Sequence, residues 1–185
     1  MDISPDDAAK ALSDIASTRG RSHALAGYSM AGPILILWGV IWLLGYAAMG
    51  VLPAEQWGPM WLAGDVIGLV VTLLLSRRAN RRGGLKGTTW RLMGGVALVA
   101  LFCGSLFAMV RPTDINVYLA FPGLLTGTIY ITLGLWRMTR YLWIGIFVFA
   151  ASLIGFFAFP AILTYWMAVT GGGGLIVSGL LIRRP

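Results

Sequence analysis

The chain has 185 residues, of which 58% are hydrophobic and only 11% are charged, and its formal net charge is +7. Soluble domains carry roughly 25% charged residues, so this composition excludes a surface that faces water on every side. The basic residues lie between apolar runs rather than along one soluble face, so the charge does not indicate nucleic-acid binding. A single cysteine and a single histidine exclude a Cys/His metal cluster and an intrachain disulfide, and we expect no metal or cofactor.

Residues 1–24 are predicted to form a cytoplasmic segment with one short amphipathic helix. Ser4 suits the helix N-cap, aspartates follow in the first turn, and Gly20 suits its end. The segment has no long apolar core before a small-residue cleavage site, so we expect no secretory signal and retention of the first membrane span.

Residues 25–185 are predicted to form an all-α membrane bundle. A spanning helix needs about 20 mostly apolar residues. The candidate stretches are 28–51, 57–76, 91–111, 114–137 and 141–182. The last stretch is too long for one span, and Pro160 divides it. The sequence therefore predicts six transmembrane helices, arranged as three hairpins with short loops.

The basic residues predict the orientation of these helices. Of the fourteen, only Arg111 falls on the side opposite the rest. Cytoplasmic loops are enriched in Lys and Arg, so both termini are expected in the cytoplasm and the protein in the inner membrane of a bacterium. One basic stripe is a candidate site for anionic lipid or for docking of the acidic N-terminal helix; it contains Arg77, Arg78, Arg81 and Arg82.

Glycine pairs mark candidate helix-packing faces. Gly64 and Gly68 lie four residues apart in the second helix, and Gly123 and Gly127 do so in the fourth. This GxxxG spacing lets backbones approach closely in lipid. We favour packing within the bundle over a dimer interface, because the spacing is common in membrane helices.

The sixth helix contains four consecutive glycines, Gly171 to Gly174. Glycine costs roughly 1 kcal/mol per residue in a helix interior relative to alanine, so this stretch should bend or unwind easily. Loosened backbone exposed to lipid would leave polar groups without partners, so the stretch should face protein or water. No GK[ST] follows, which excludes a phosphate-binding loop.

Asp65 is the one acid inside a predicted span. It precedes Arg77 by twelve residues, about 18 Å at 1.5 Å per residue, which places it near the middle of the bilayer. No Lys or Arg lies in any span to neutralise it, so it is a candidate protonatable group. Residues at matching depth complete a candidate proton or small-cation site: Thr126, Thr128, Thr170, Gly171 and Gly172. The other interpretation, which we place ahead, is a neutral Asp65 that hydrogen-bonds to a neighbouring helix and fixes packing.

Two function classes follow, and neither is an enzyme, because no catalytic arrangement is visible in the spans. The first, which we place slightly ahead, is a membrane partner, regulatory or scaffold subunit that acts through a homo-oligomer or another membrane protein. The second is a small proton- or cation-linked permease or channel that uses Asp65 and the glycine-rich sixth helix. A hydrated cavity at Asp65 would favour the second class, and a dry, hydrogen-bonded Asp65 would favour the first.

Overall fold

The computed structural model describes residues 31–81, 88–136 and 139–182, and every regular element in these ranges is a helix. Five long helices come first: α1 (Ala31–Met49), α2 (Trp57–Arg81), α3 (Thr88–Val110), α4 (Ile115–Trp136) and α5 (Thr139–Ala158). The last span, Pro160–Ile182, comprises a 3₁₀ turn (Pro160–Ile162), α6 (Leu163–Met167), a π-helical segment (Ala168–Gly173) and α7 (Gly174–Ile182). The predicted N-terminal helix and Arg82 lie outside the described residues.

The prediction of an all-α membrane bundle is confirmed. Five spans are long and apolar enough to cross a bilayer, and the apolar part of α3 is Gly94–Val110. Large apolar side chains are exposed along the outside of the bundle, including Leu62, Leu98 and Phe157. In water such a surface would be unstable, whereas lipid acyl chains solvate it.

Short connections make consecutive helices antiparallel. Arg111 ends α3 in the left-handed backbone region, with φ of 45°. Three residues later the carboxylate of Asp114 accepts a hydrogen bond of 2.8 Å from the amide of Asn116, which caps the start of α4. Pro160 opens the turn between α5 and the last span. These turns leave little chain outside the bundle on this side.

The opposite end of the bundle collects the ends of several helices. The guanidinium of Arg140, at the start of α5, donates a hydrogen bond of 3.3 Å to the Ile182 carbonyl at the end of α7. A methyl group at Gly179 would lie 2.7 Å from the Gly32 carbonyl, so α1 begins beside them. Arg77 and Arg78 are exposed near the end of α2. We call this the basic end of the bundle.

The tightest packing joins α4 and α5. A methyl group at Gly127 would lie 2.8 Å from the backbone nitrogen of Phe149, and one at Gly145 would lie 2.5 Å from that of Ile131. Nearer the basic end, Gly134 faces the backbone of Leu142 equally closely. Small residues in lipid allow this backbone contact and the dispersion energy that comes with it. The pair α4–α5 is therefore the rigid part of the bundle.

The last span packs in the same manner against α1. Gly39 faces the Gly172 carbonyl, and Gly172 in turn faces the backbone of Leu43. The four-glycine run does not unwind here: it widens into the π-helical segment and continues as α7. Its expected position against protein is also observed for Gly174, which faces the ring of Phe147 on α5. Gly171, Gly172 and Gly174 thus serve close contacts, whereas a methyl group at Gly173 would meet nothing within 4 Å.

By contrast, α2 and α3 lie at the periphery. Gly64 and Gly68 of α2 face Ile41 of α1, so this glycine pair, like Gly123 and Gly127, packs within one chain. Every described side chain of α3, from position 94 to 110, is exposed or only partly buried. The side of the bundle with α2 and α3 is therefore packed more loosely than the side with α4 and α5. A groove lies where these two sides meet.

Candidate functional site

A groove of about 460 Å³ lies between α1, α2 and α4, toward the end opposite the basic end. Its lining is rich in aromatic rings and contains one acid. The lining residues are Trp42, Tyr46, Met49, Trp57, Gly58, Trp61, Asp65, Ile115, Tyr118, Leu119 and Pro122. We call this cavity the aromatic groove.

One face of α1 supplies the floor of the aromatic groove. Trp42, Tyr46 and Met49 follow the spacing i, i+4, i+7, which places them on one helix face. The Tyr46 hydroxyl donates a buried hydrogen bond of 2.8 Å to the Leu119 carbonyl of α4. This bond holds α1 against α4 and fixes the distance between two walls of the groove.

The α2 wall carries two indoles and the acid. Trp57, Trp61 and Asp65 lie at i, i+4 and i+8, so they share one face of α2. The Trp57 ring nitrogen donates to the Leu52 carbonyl (3.0 Å), and that of Trp61 donates to the sulfur of Met49 (3.2 Å). Both indoles are thereby fixed against the α1–α2 connection.

The rings pack edge to face. The Tyr46 centroid lies 5.8 Å from that of Trp42 and 5.1 Å from that of Trp61, with interplanar angles of 78° and 72°. Aromatic pairs prefer such arrangements because ring faces are negative and ring edges positive. The polar groups of Tyr46, Trp57 and Trp61 already have partners within the chain. The groove therefore offers a ligand mainly ring surface and one carboxylate.

The α4 wall contains a helix-interior proline, Pro122. Proline has no N–H, so the carbonyl four residues earlier, that of Tyr118, lacks its usual helical donor. Tyr118 and Pro122 both line the aromatic groove. An acceptor is thus left without its helical bond at the wall facing α2.

Asp65 is exposed and lines the groove without a partner among the described residues. No hydrogen bond or ion pair joins its carboxylate to any part of the chain that the structure describes. The other titratable groups that line the groove are the phenols of Tyr46 and Tyr118. A charged group in a membrane helix normally pairs with another group, so this carboxylate needs a partner from beyond the described residues.

On the side of Asp65 that faces the basic end, α1 and α2 are in direct contact, and we call this contact the seam. A methyl group at Gly68 would lie 2.8 Å from Ile41 and 3.0 Å from the Trp38 ring. One turn further, the Trp38 ring nitrogen donates to the Thr72 hydroxyl at 3.2 Å. The aromatic groove is therefore open at one end and sealed by this contact toward the basic end.

The other residues of the expected cation site lie elsewhere. Neither the three threonines nor Gly171 and Gly172 line the aromatic groove. The hydroxyls of Thr128 and Thr170 each donate to the carbonyl four residues earlier in their own helix, Leu124 and Trp166. Thr126 is only half-buried. Asp65 alone of the expected set lines the cavity.

Trp42 separates the glycine run from Asp65. A methyl group at Gly171 would lie 3.1 Å from the Trp42 ring, and the same residue lines the groove. The aromatic residues that line the groove together with Asp65 were not among the expected site residues. Their signal was present in the sequence: Trp57, Trp61 and Asp65 recur every four residues, on one helical face.

Within the described ranges, no three His, Cys, Asp or Glu side chains come together as a metal site requires. Family models, curated proteins and solved structures give no match to this chain. The geometry of the aromatic groove therefore supplies the main indication of function.

Proposed function

We propose that the protein is a non-enzymatic, proton- or cation-linked permease of a bacterial inner membrane, with Asp65 as its cation-binding group. One observation carries the proposal: a carboxylate within a span, without a partner in the described part of the chain, lines an open groove. A purely structural aspartate would be expected to hydrogen-bond to a neighbouring helix, because an unpaired polar group is costly in lipid.

In this function a proton and a cationic cargo compete for the same carboxylate. Binding of the cargo requires the ionised form of Asp65, and proton uptake releases it. The phenols of Tyr46 and Tyr118 are the other titratable groups at the groove. Tyr46 donates its proton to the Leu119 carbonyl, which leaves Asp65 as the proton acceptor that a gradient would drive.

Passage across the membrane requires a second opening toward the basic end. The seam of Gly68, Trp38 and Thr72 is the barrier in the present conformation. Few residues of α2 are buried inside the bundle. Movement of α2 away from α1 therefore breaks fewer contacts than movement of any helix in the tight α4–α5 pair. By the distribution of arginines, the groove mouth faces outside and the seam faces the cytoplasm.

Flux into proteoliposomes tests this function. An internal pH dye reports proton movement when Na⁺, K⁺ or an organic ammonium ion is added in turn across an imposed proton gradient. We expect at least one cation to dissipate the gradient and Asp65→Asn to abolish the effect. Glu55→Gln is the matched control, since Glu55 is an exposed acid near the same end. Absence of coupled flux, or flux unchanged in Asp65→Asn, would overturn the proposal.

A second candidate is a partner or scaffold subunit, and the exposure of α3 favours it. The side chains of Leu98, Leu101 and Met109 are each at least two-thirds exposed. Gly94, Gly95 and Gly104 have open space where a methyl group would be. Gentle purification from native membranes, followed by the mass of the complex and the identity of co-purifying chains, tests it. A homogeneous monomer without partners would eliminate this candidate.

A further inference from the structure

We propose that the cargo of the aromatic groove is an organic ammonium ion, with quaternary or tertiary nitrogen, held on the ring surfaces with Asp65 as its counter-charge. This inference rests on the proposed function of the same groove and names the chemical class that it takes.

Charge is the first argument. The carboxylate of Asp65 has no counter-ion among the described residues, and the other groups lining the groove are neutral. An opposite charge close to this acid would stabilise its ionised form, because the attraction is stronger beside protein than in bulk water. A monocation in the groove would supply that charge, whereas a neutral or anionic ligand would leave the acid unpaired.

The rings distinguish an organic cation from a metal ion. Ca²⁺ takes roughly six to eight oxygen ligands, and Mg²⁺ keeps several waters beside one or two carboxylates, so neither ion makes use of a lining of aromatic rings. Quaternary ammonium ions instead bind over aromatic faces, best over Trp, through attraction to the ring quadrupole. The groove combines three indoles, those of Trp42, Trp57 and Trp61, with the phenol rings of Tyr46 and Tyr118.

The hydrogen-bonding pattern supports the same class. Primary ammonium groups need several hydrogen-bond acceptors around them, and the polar edges of Tyr46, Trp57 and Trp61 are already bonded to the chain. A tertiary or quaternary ammonium group carries its charge with one N–H group or none, so it gives up few hydrogen bonds to water when it enters the groove. The Tyr118 carbonyl, which lacks its helical donor, suits the single N–H of a tertiary amine.

Size agrees with a small organic ligand. The groove has about 460 Å³, within the range of roughly 300–1,000 Å³ that is usual for small-molecule sites. A proton or a bare metal ion needs far less space. A proton-only pathway would therefore leave both the volume and the aromatic lining without a role.

Binding in detergent tests the inference with a pair of isosteres. Choline is titrated against its uncharged carbon isostere, in which a tert-butyl group replaces trimethylammonium, and calorimetry measures each affinity. We expect choline to bind and the isostere to bind about a hundredfold more weakly or not at all. Equal binding of the two, or no choline binding at millimolar concentration, would overturn the inference.

Substitutions at two positions, Asp65 and Trp61, separate the contribution of the charge from that of the rings. Asp65→Asn should weaken choline binding about a hundredfold, whereas Glu55→Gln should leave it unchanged. Trp61→Leu should weaken it about tenfold and Trp61→Phe less, because Phe retains a ring face. Trp136→Leu is the matched control, since Trp136 is 84% exposed and outside the groove. Equal affinities for wild type and Asp65→Asn would contradict a role for the carboxylate.

Two sources supply the ammonium chemistry: a free solute and the headgroup of a lipid. Nanodiscs of phosphatidylglycerol, with and without phosphatidylcholine, distinguish them. A headgroup ligand would compete, so choline affinity would fall in the mixed discs; a free solute as ligand predicts equal affinity in both.

The outcomes also separate this inference from the proposed function. Choline binding that depends on Asp65 without any coupled flux would leave the ligand class intact and remove the permease. Flux coupled to Na⁺ or K⁺ without choline binding would retain the permease and remove the ligand class.

Discussion

The two hairpins α1–α2 and α4–α5 use glycine in opposite ways. In α4–α5, Gly127, Gly134 and Gly145 each face the backbone of the partner helix. In α1–α2, Gly45 faces the ring of Trp61, and Gly68 faces that of Trp38. A glycine against backbone brings two helices together, whereas a glycine against an indole makes room for a ring between them.

This difference explains where the cavity lies. Indoles act as spacers in α1–α2, and spacers fill the interface less evenly than backbone contact does. At the open end, the ring nitrogen of Trp57 donates a hydrogen bond to the Leu52 carbonyl of the α1–α2 connection. The space between α2 and α4 then remains unfilled, with Asp65 on its wall. The tightly packed hairpin α4–α5, which we call the frame, thus supports the structure, whereas the hairpin α1–α2 provides most of the site.

The largest effect is expected from breaking the frame. Gly145→Val would place a branched side chain 2.5 Å from the backbone nitrogen of Ile131, where no side chain can move aside. Overpacking of this kind costs about 3 kcal/mol or more. We expect a large loss of thermal stability in detergent, measured as monodisperse protein remaining after heating.

The control for the frame is the same substitution on α3. A methyl group at Gly104 would meet nothing within 4 Å, so Gly104→Val should be tolerated. Equal melting of the two variants would show that close backbone contact in α4–α5 does not determine stability.

A smaller effect is expected where frame and site meet. Tyr46→Phe removes the buried hydrogen bond to the Leu119 carbonyl, a loss of about 1 kcal/mol. Because this bond fixes the width of the aromatic groove, choline affinity should fall together with thermal stability. Tyr165→Phe, which removes an exposed hydrogen bond of 3.2 Å to Gly50, should change neither measurement noticeably. Identical behaviour of the two variants would contradict a role for Tyr46 in setting groove width.

The smallest effect is expected at the seam. Thr72→Val keeps the shape of the side chain and removes the acceptor for Trp38, so the closed α1–α2 contact should weaken by about 0.5–1 kcal/mol. Coupled flux in proteoliposomes should rise by about threefold if opening of this seam limits transport. Thr132→Val is the control, because that hydroxyl bonds within its own helix. A rate unchanged or lowered in Thr72→Val would place the barrier elsewhere.

The sequence sufficed for the helical bundle because its signals are one-dimensional. Long uncharged stretches and the proline at position 160 define spans without any knowledge of neighbours. Asp65 was singled out in the same way, since an acid within a long apolar stretch is visible without any knowledge of neighbours. Glycine pairs could be assigned to packing, although not to partners: nothing in their spacing indicates that Gly68 faces Trp38.

The surroundings of Asp65 were harder because depth does not determine rotation about a helix axis. Counting from boundary arginines placed Thr128 and Thr170 at a suitable height, but both hydroxyls bond to carbonyls of their own helices. A threonine hydroxyl in a helix commonly donates to a carbonyl of its own helix, so the position of a threonine says little about which helices lie beside it. The two tryptophans of α2 carried more information. Together with Asp65 they recur every four residues, which defines a face of the helix as well as a height in the membrane.

The π-helical segment Ala168–Gly173 sets an angular offset within the last span. A π turn holds about one residue more than an α turn, so the helix beyond it is rotated by roughly 100° relative to a regular continuation. Met167, before the offset, lies beside Gly123 of α4, and Gly179, after it, meets Gly32 of α1. Removal of a single glycine from the run would cancel the offset and turn the second half of the span toward different neighbours. In that sense the number of glycines, as well as their small size, is under structural constraint.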